Sequence, residues 1–209
     1  IQGPNNLPLM VDLFGDWVKE IKYFFFKETE LDGIPLIVQR SGWSKQGGFE
    51  LYLRDGSQGG RLWDMVMEAG NKYDIKPGSP NNIERIESGL FSWGNDMDLN
   101  TNALELPLDK FCQLDKSAEY LSRDALHKIR SEGVTRKVVG LIVEGEAFDG
   151  GCASPWKVSN NNKTCGKVTS AAYSPRLKKN IAIATIDKGF NAIGSKVDAD
   201  TPWGSRLAT

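Results

Sequence analysis

The chain has 209 residues, 40% hydrophobic and 25% charged, which is enough apolar material for one large core or two modest ones. Its 26 Lys and Arg nearly balance 27 Asp and Glu, which argues against a nucleic-acid or anionic-membrane partner. No apolar run approaches the ~20 residues of a membrane-spanning helix, and three cysteines without CxxC spacing (Cys112, Cys152, Cys165) point to a reducing, cytoplasmic setting and away from a zinc site.

In chain order, residues 5–20 (NNLPLMVDLFGDWVKE) are helix-like, with Leu9, Leu13 and Trp17 at helical spacing. FFFKETEL (24–31) reads as a strand that turns at Asp32-Gly33 into IPLIVQRS (34–41), a run of branched aliphatics ended by Gly42. A loop with Gly42, Gly47 and Gly48 leads to FELYLR (49–54), whose period of two places Glu50 and Tyr52 on one face and Phe49, Leu51 and Leu53 on the other. Two helices are expected next. GGRLWDMVMEAGNKY (59–73) turns Leu62, Val66 and Ala69 inward, and NNIERIESGLFSW (81–93) is introduced by Pro80-Asn81 and weakened by Gly89. SRDALHKIRSEG (122–133) has Ser122 as its expected cap and Gly133 as its stop. From residue 137, short strands (KVVGLIVEG, KTCGKVTSAAYS, NIAIATI, GSKVDAD) separated by turn residues predict a small antiparallel barrel or sandwich, with SNNNKT (159–164) as a turn.

The stretch RSGWSKQGGFELY (40–52) is the strongest candidate site. A carboxylate and a phenol side by side, below the indole of Trp43, suit a flat heteroaromatic ligand with an N–H edge, because a carboxylate accepts two parallel hydrogen bonds. The alternative is an ordinary amphipathic hairpin with Glu50 and Tyr52 in water. Other chemistries find little support. The only histidine, His127, lies on a polar helical segment and reads as a surface residue, so no Ser-His-Asp or Cys-His set is visible. The glycines of the 42–48 loop precede a strand rather than a helix, the wrong context for cradling phosphate. Glu84 and Glu87 are expected to frame Arg85 or face solvent. A pairing of Cys152 with Cys165 stays open.

RSGWSKQGGFELY, together with PGSPNNIERIESGLFSWGNDMD (77–98) and GKVTSAAYSPRLKKNIAIATI (166–186), resembles the glycine-cleavage T-protein (aminomethyltransferase) superfamily. The family wordings are near R-T-G-Y-T-G-E-D-G-F-E, A-R-D-x-L-R-L-E-A-G-x-x-L-Y-G-N-D and T-S-G-x-x-S-P-x-L-K-K-N-x-A, and the three motifs occur here in that order. The WSKQGG loop and the PNxIERIES wording are similar to the branch of tetrahydrofolate-dependent dimethylsulfoniopropionate demethylases. The resemblance implies an α+β fold: the C-terminal portion of a folate-binding, T-protein-like α/β domain over residues 1–112, then a linker helix and a small antiparallel β-barrel over 113–209. It also implies a chain that lacks the N-terminal part of a family protein. Ile1 opens in mid-pattern and SRLAT reads as the start of a strand. The family's catalytic aspartate belongs to that N-terminal part, so no catalytic residue is expected within these 209 positions.

Residue by residue, the resemblance implies that Glu50 binds the pterin ring of tetrahydrofolate and that Tyr52 lines the same pocket, unless it is a cross-strand packing residue. Trp43 replaces the family tyrosine and would meet a flat ring or a sulfonium cation, or else anchor the loop in the core. Arg85 and Glu87 match an R-x-E and are as well explained by ion pairing as by ligand contact. Trp93, Asn95 and Asp96 form an architectural turn, and Tyr173 falls where the barrel motif approaches the central cavity, as a candidate substrate contact. Asn81 stands where the T-protein has arginine, and Ser44-Lys45-Gln46-Gly47 replaces T-G-E-D; both changes favour the demethylase wording. The implied partner is a small-molecule methyl or aminomethyl donor, with a lipoyl carrier protein needed only for glycine cleavage, and a homodimer stays open. The alternatives are glycine cleavage itself and a non-catalytic folate binder of the same fold.

Overall fold

The structure is a computed structural model, and it describes residues 1–42, 46–108 and 111–209. The chain forms two compact units, Ile1–Pro80 and Asn81–Thr209.

In the first unit, the helix expected over 5–20 is interrupted. Helix α1 spans Asn6–Phe14, Gly15 follows at φ 89° and ψ 179°, and Asp16–Glu20 form a 3-10 turn. Only glycine takes that backbone conformation without a steric penalty, so Gly15 ends the helix although the apolar period continues to Trp17. Strands β1 (Phe26–Leu31), β2 (Ile34–Gln39) and β3 (Glu50–Leu53) make a three-stranded antiparallel sheet in the order β1-β2-β3. Helix α2 (Gly59–Gly70) buries Leu62 and Val66. The core joins Met10, Val18, Ile34, Leu36, Val38 and Phe49 to that helix face. Each fully buried side chain of this size contributes roughly 1.5–3 kcal/mol.

The second unit starts with helix α3 (Asn82–Ser88), which is shorter than expected. Asn81 Oδ1 caps it by accepting a 2.9 Å bond from Glu84 N–H. Gly89, left-handed at φ 63°, stops it before Leu90–Trp93 can join. Helix α4 (Arg123–Glu132) keeps the expected bounds, although the Ser122 side chain makes no capping bond.

Strands β4 (Arg136–Val143), β5 (Trp156–Asn160), β6 (Lys163–Ser174), β7 (Lys179–Asp187), β8 (Val197–Thr201) and β9 (Gly204–Ala208) close into a barrel in the order β4-β7-β6-β5-β8-β9. Strand spacing alone left a barrel and a sandwich open and the resemblance implied the barrel, which closure bears out: Val143 pairs with Ala208. Strand β5 escaped the sequence reading, whereas SRLAT (205–209), read as the start of a strand, overlaps β9. Asn161 and Asn162, both at positive φ, form the two-residue turn between β5 and β6. Gly166 is required by space, since a Cβ there would lie 2.3 Å from the Thr185 carbonyl oxygen. Val158, Cys165, Val168, Ala184 and Ala199 fill the barrel. All three cysteines are free thiols, so Cys152 and Cys165 are not paired.

Among the described residues, no helix is long and apolar enough to cross a membrane, and no group of His, Cys, Asp and Glu side chains is arranged to hold a metal ion.

Candidate functional site

The antiparallel register of the first unit aligns Phe26 with Gln39 and Gln39 with Glu50 in one row across the sheet. Cross-strand partners share a face. Glu28, Ile37 and Tyr52 form the next row of that face. On the opposite face Val38 and Leu36 are buried and Leu51 and Leu53 half-buried, and Phe49 is fully enclosed. Glu50 and Tyr52 are exposed. The alternation expected from FELYLR is thus realised, with the carboxylate and the phenol on the solvent side of a packed sheet.

Among the described residues, two hydroxyls hold the carboxylate. Ser41 Oγ donates to Glu50 Oε2 at 2.6 Å, and the Tyr52 hydroxyl donates to the same oxygen at 2.7 Å. The Ser41 bond, then the Tyr52 bond, keeps the Glu50 carboxyl below its ordinary range and outweighs partial desolvation. The same bond raises the Tyr52 phenol above its usual value, so it remains a donor. Tyr52 is therefore engaged with Glu50 as well as exposed beside it. Trp43 lies outside the described residues.

Sequence reasoning missed Ser41. The signal was present: Ser41 has the parity of Gln39, which the register places opposite Glu50, so a side chain two residues on can reach the same carboxylate. The aromatic run before β1 also differs from the strand expected from residue 24. Phe24 is left-handed at φ 68°, a strained conformation for a bulky residue. Its N–H donates to the Arg40 carbonyl at 2.8 Å. The ring of Tyr23 lies 4.3 Å from that of Phe24, and its hydroxyl donates to the Gly42 carbonyl at 2.8 Å. Tyr23, Phe24, Phe25 and Phe26 are all exposed, beside the row that carries Glu50.

In the second unit the motif residues have structural partners. Asp96 is buried and fully satisfied. Its Oδ1 accepts from Thr169 and Ser170 hydroxyls at 2.7 Å each, and its Oδ2 accepts from Arg85 at 2.6 Å and from Ser92 N–H at 2.9 Å. Burial pushes its carboxyl upward, but these bonds more than offset that, and it titrates below the ordinary range. Arg85 also donates to Ser170 Oγ at 2.7 Å and to the Leu90 carbonyl at 2.9 Å. Glu87 pairs with Arg176 at 2.6 Å and accepts from the Ser174 hydroxyl. The R-x-E thus makes two separate ion pairs, in line with the ion-pairing alternative, and Glu87 pairs with Arg176 rather than framing Arg85 or facing solvent. Tyr173 is half-buried against the barrel core, in the compact unit that does not contain Glu50. His127 is half-buried rather than displayed, with Nε2 3.0 Å from the Leu114 carbonyl and Nδ1 3.1 Å from Arg130.

Comparison with known proteins agrees with this architecture. The family model described as the GCVT N-terminal domain matches residues 1–116, and that of the glycine cleavage T-protein C-terminal barrel domain matches 136–209. The chain is 38% identical to the dimethylsulfoniopropionate demethylase of Ruegeria pomeroyi, over all of this chain and 56% of that protein. It is 33% identical to an aminomethyltransferase of Caldanaerobacter subterraneus subsp. tengcongensis, over 95% of this chain and 52% of that protein. The crystal structure of glycine cleavage system aminomethyltransferase T from Bartonella henselae shares the fold, with a TM-score of 0.75 at 18% identity over 97% of this chain and 54% of that one. The chain thus spans about half the length of the relatives it matches. An α+β unit with an exposed sheet carboxylate, a closed six-stranded barrel and both family matches in order place this chain in the glycine-cleavage T-protein family.

Proposed function

We propose that this chain is part of a tetrahydrofolate-dependent one-carbon transferase, and that the group transferred is a methyl from a sulfonium donor such as dimethylsulfoniopropionate. The observation that supports the reading best is the Glu50 carboxylate, exposed on the solvent side of the sheet and kept ionised by Ser41 and Tyr52. Its chemistry fits a pterin, whose aminopyrimidine edge offers N–H donors to a carboxylate, here to Oε1, the oxygen to which neither Ser41 nor Tyr52 donates. Tetrahydrofolate, when bound, supplies N5 as the atom that accepts the one-carbon unit.

The role of this chain is to bind and orient. Glu50 would hold the N–H edge, with Tyr52 beside it, and Trp43 is a further candidate contact to folate and donor; Tyr173 is a candidate substrate contact on the resemblance alone. Transfer from a sulfonium removes positive charge at sulfur in the transition state, so it needs alignment and exclusion of water more than a strong base. Two features support the demethylase branch over glycine cleavage. The identity to the demethylase of R. pomeroyi is 38%, against 33% to the aminomethyltransferase above. Asn81, where the T-protein wording has arginine, serves here as a helix cap. Glycine cleavage remains the second reading, carried by the aminomethyltransferase relatives, and it would require a lipoyl carrier partner. A cytoplasmic setting and a homodimer belong to the same proposal.

The deciding experiment incubates the full-length protein with tetrahydrofolate and dimethylsulfoniopropionate and identifies the folate product by mass spectrometry. We expect 5-methyltetrahydrofolate. Bound folate without methyl transfer would overturn the sulfonium assignment and favour another donor or a non-catalytic binder.

A further inference from the structure

The Glu50 carboxylate is held from two directions in the chain. Ser41 reaches it from the segment that leaves β2, and Tyr52 from two residues further along β3, and both bonds end on Oε2. The terminal torsion of a glutamate is broad, so a single hydrogen bond leaves an exposed carboxylate free to rock. Two donors on one oxygen restrict its plane before any ligand arrives, and ordering that precedes binding is not charged against affinity. The two donors are unequal. Ser41 is 6% exposed, whereas Tyr52 is 48% exposed. The buried hydroxyl is shielded from competing water; the phenol is not.

We propose that Ser41 is the positioning residue of this site: its hydroxyl, assisted by that of Tyr52, presets the Glu50 carboxylate as an aimed, ionised acceptor for the N–H edge of the ligand. The proposal rests on the reading of Glu50 as the pterin anchor. The electrostatics agree, since the Ser41 bond is the largest cause of the lowered Glu50 carboxyl and the Tyr52 bond the second. Among the described residues, the other charged groups around this carboxylate do little. Glu28, one row away on the same face, is paired with Arg54 at 2.7 Å. Glu30 lies a further row away. Arg40 is turned to the carbonyls of Lys19 and Ile21. The Ile1 nitrogen is turned to the Phe49 carbonyl at 2.8 Å.

The consequence is a specific pH signature. A carboxylate held by hydroxyl donors stays charged further into acid than a free one, so ligand binding should persist there. Removing Ser41 would move the carboxyl back toward the ordinary glutamate range and free its rotation. A general loss of packing would instead weaken binding equally at every pH.

The test uses the full-length protein with wild-type, Ser41→Ala and Ser41→Thr sequences. The Glu50 carboxyl is titrated by NMR with carbon-13-labelled glutamate, assigned with Glu50→Gln, and tetrahydrofolate affinity is measured anaerobically from about pH 7 to about pH 4.5, around the ordinary glutamate range. We expect Ser41→Ala to raise the Glu50 midpoint and to weaken binding about threefold to tenfold at neutral pH, the scale of one hydrogen bond. The ratio of variant to wild-type Kd should then grow as pH falls, and Ser41→Thr should restore both readouts. An unmoved midpoint, or a Kd ratio flat across pH without rescue by threonine, overturns the proposal. Should Ser41→Ala not fold, Tyr52→Phe removes the second hydroxyl and is expected to shift both readouts in the same direction by less; no shift overturns the proposal. If Glu50→Gln binds tetrahydrofolate as tightly as wild type, the anchor reading falls, and the positioning role in binding falls with it. If Glu50→Gln loses binding while Ser41→Ala is silent, only the positioning proposal falls.

Discussion

Two carboxylates, one in each compact unit, titrate below their ordinary range for different reasons. Asp96 has no exposed side-chain surface and four donors that take up both of its oxygens, one of them the guanidinium of Arg85. Glu50 is exposed and is held by two neutral hydroxyls on one oxygen. The first is a closed network whose bonding capacity is spent within the fold. The second is prepared but still open to solvent. A lowered carboxyl alone thus does not mark a ligand site; what distinguishes the two is the accessibility left after the hydrogen bonds are counted.

The largest test breaks the closed network. Asp96→Asn should destabilise the barrel unit by about 3–5 kcal/mol, because it leaves the Arg85 guanidinium largely buried beside a neutral partner. Urea unfolding followed by tryptophan fluorescence would measure it. A loss within ~0.5 kcal/mol, the level of an ordinary surface change, would erase the contrast between the two carboxylates. The same group sets an acid limb. Its carboxyl is lower in the folded protein than the ordinary 3.8, so its stabilisation is full above that value and is lost as pH falls through the folded midpoint. Wild type should therefore lose stability below about pH 4, and Asp96→Asn should show a flatter acid limb in thermal unfolding.

Glu50→Gln sharpens the comparison from the other side. Stability should change by no more than about 0.5 kcal/mol, while tetrahydrofolate binding should weaken by roughly 1.5–3 kcal/mol, the scale of a charge-assisted bond. Titration calorimetry on the full-length protein checks the second figure, and unchanged affinity would remove Glu50 as the anchor. The smallest effect is expected at Glu87. Arg176 is two-thirds exposed, so Arg176→Ala should cost less than about 1 kcal/mol and less still at high salt. A larger, salt-independent loss would show that this pair behaves like the Asp96 network.

The alternation of FELYLR was enough to put Glu50 and Tyr52 on one face, because side-chain parity along a strand needs no partner to be known. Helix stops were legible only in part. Gly89 was recognised as a weakness, yet Gly15 was passed over because the apolar period of 5–20 continued through it. The sequence offered ion pairing for Arg85 and Glu87 without their partners, and the tertiary structure gave each a different one, 11 positions away for Arg85 and 89 for Glu87.

By itself, the sequence determined the order of elements, the face on which Glu50 stands and the motifs that place the chain in its family, since these depend on local period, turn chemistry and residue identity. Only the tertiary structure decided the order β4-β7-β6-β5-β8-β9 in which the last strands close, that Thr169 and Ser170, more than seventy positions away, donate to Asp96, and that Ser41 reaches across to Glu50. The physical reason is register. Parity along one strand is local, but which residue meets which across a sheet or barrel is set only when the strands pair.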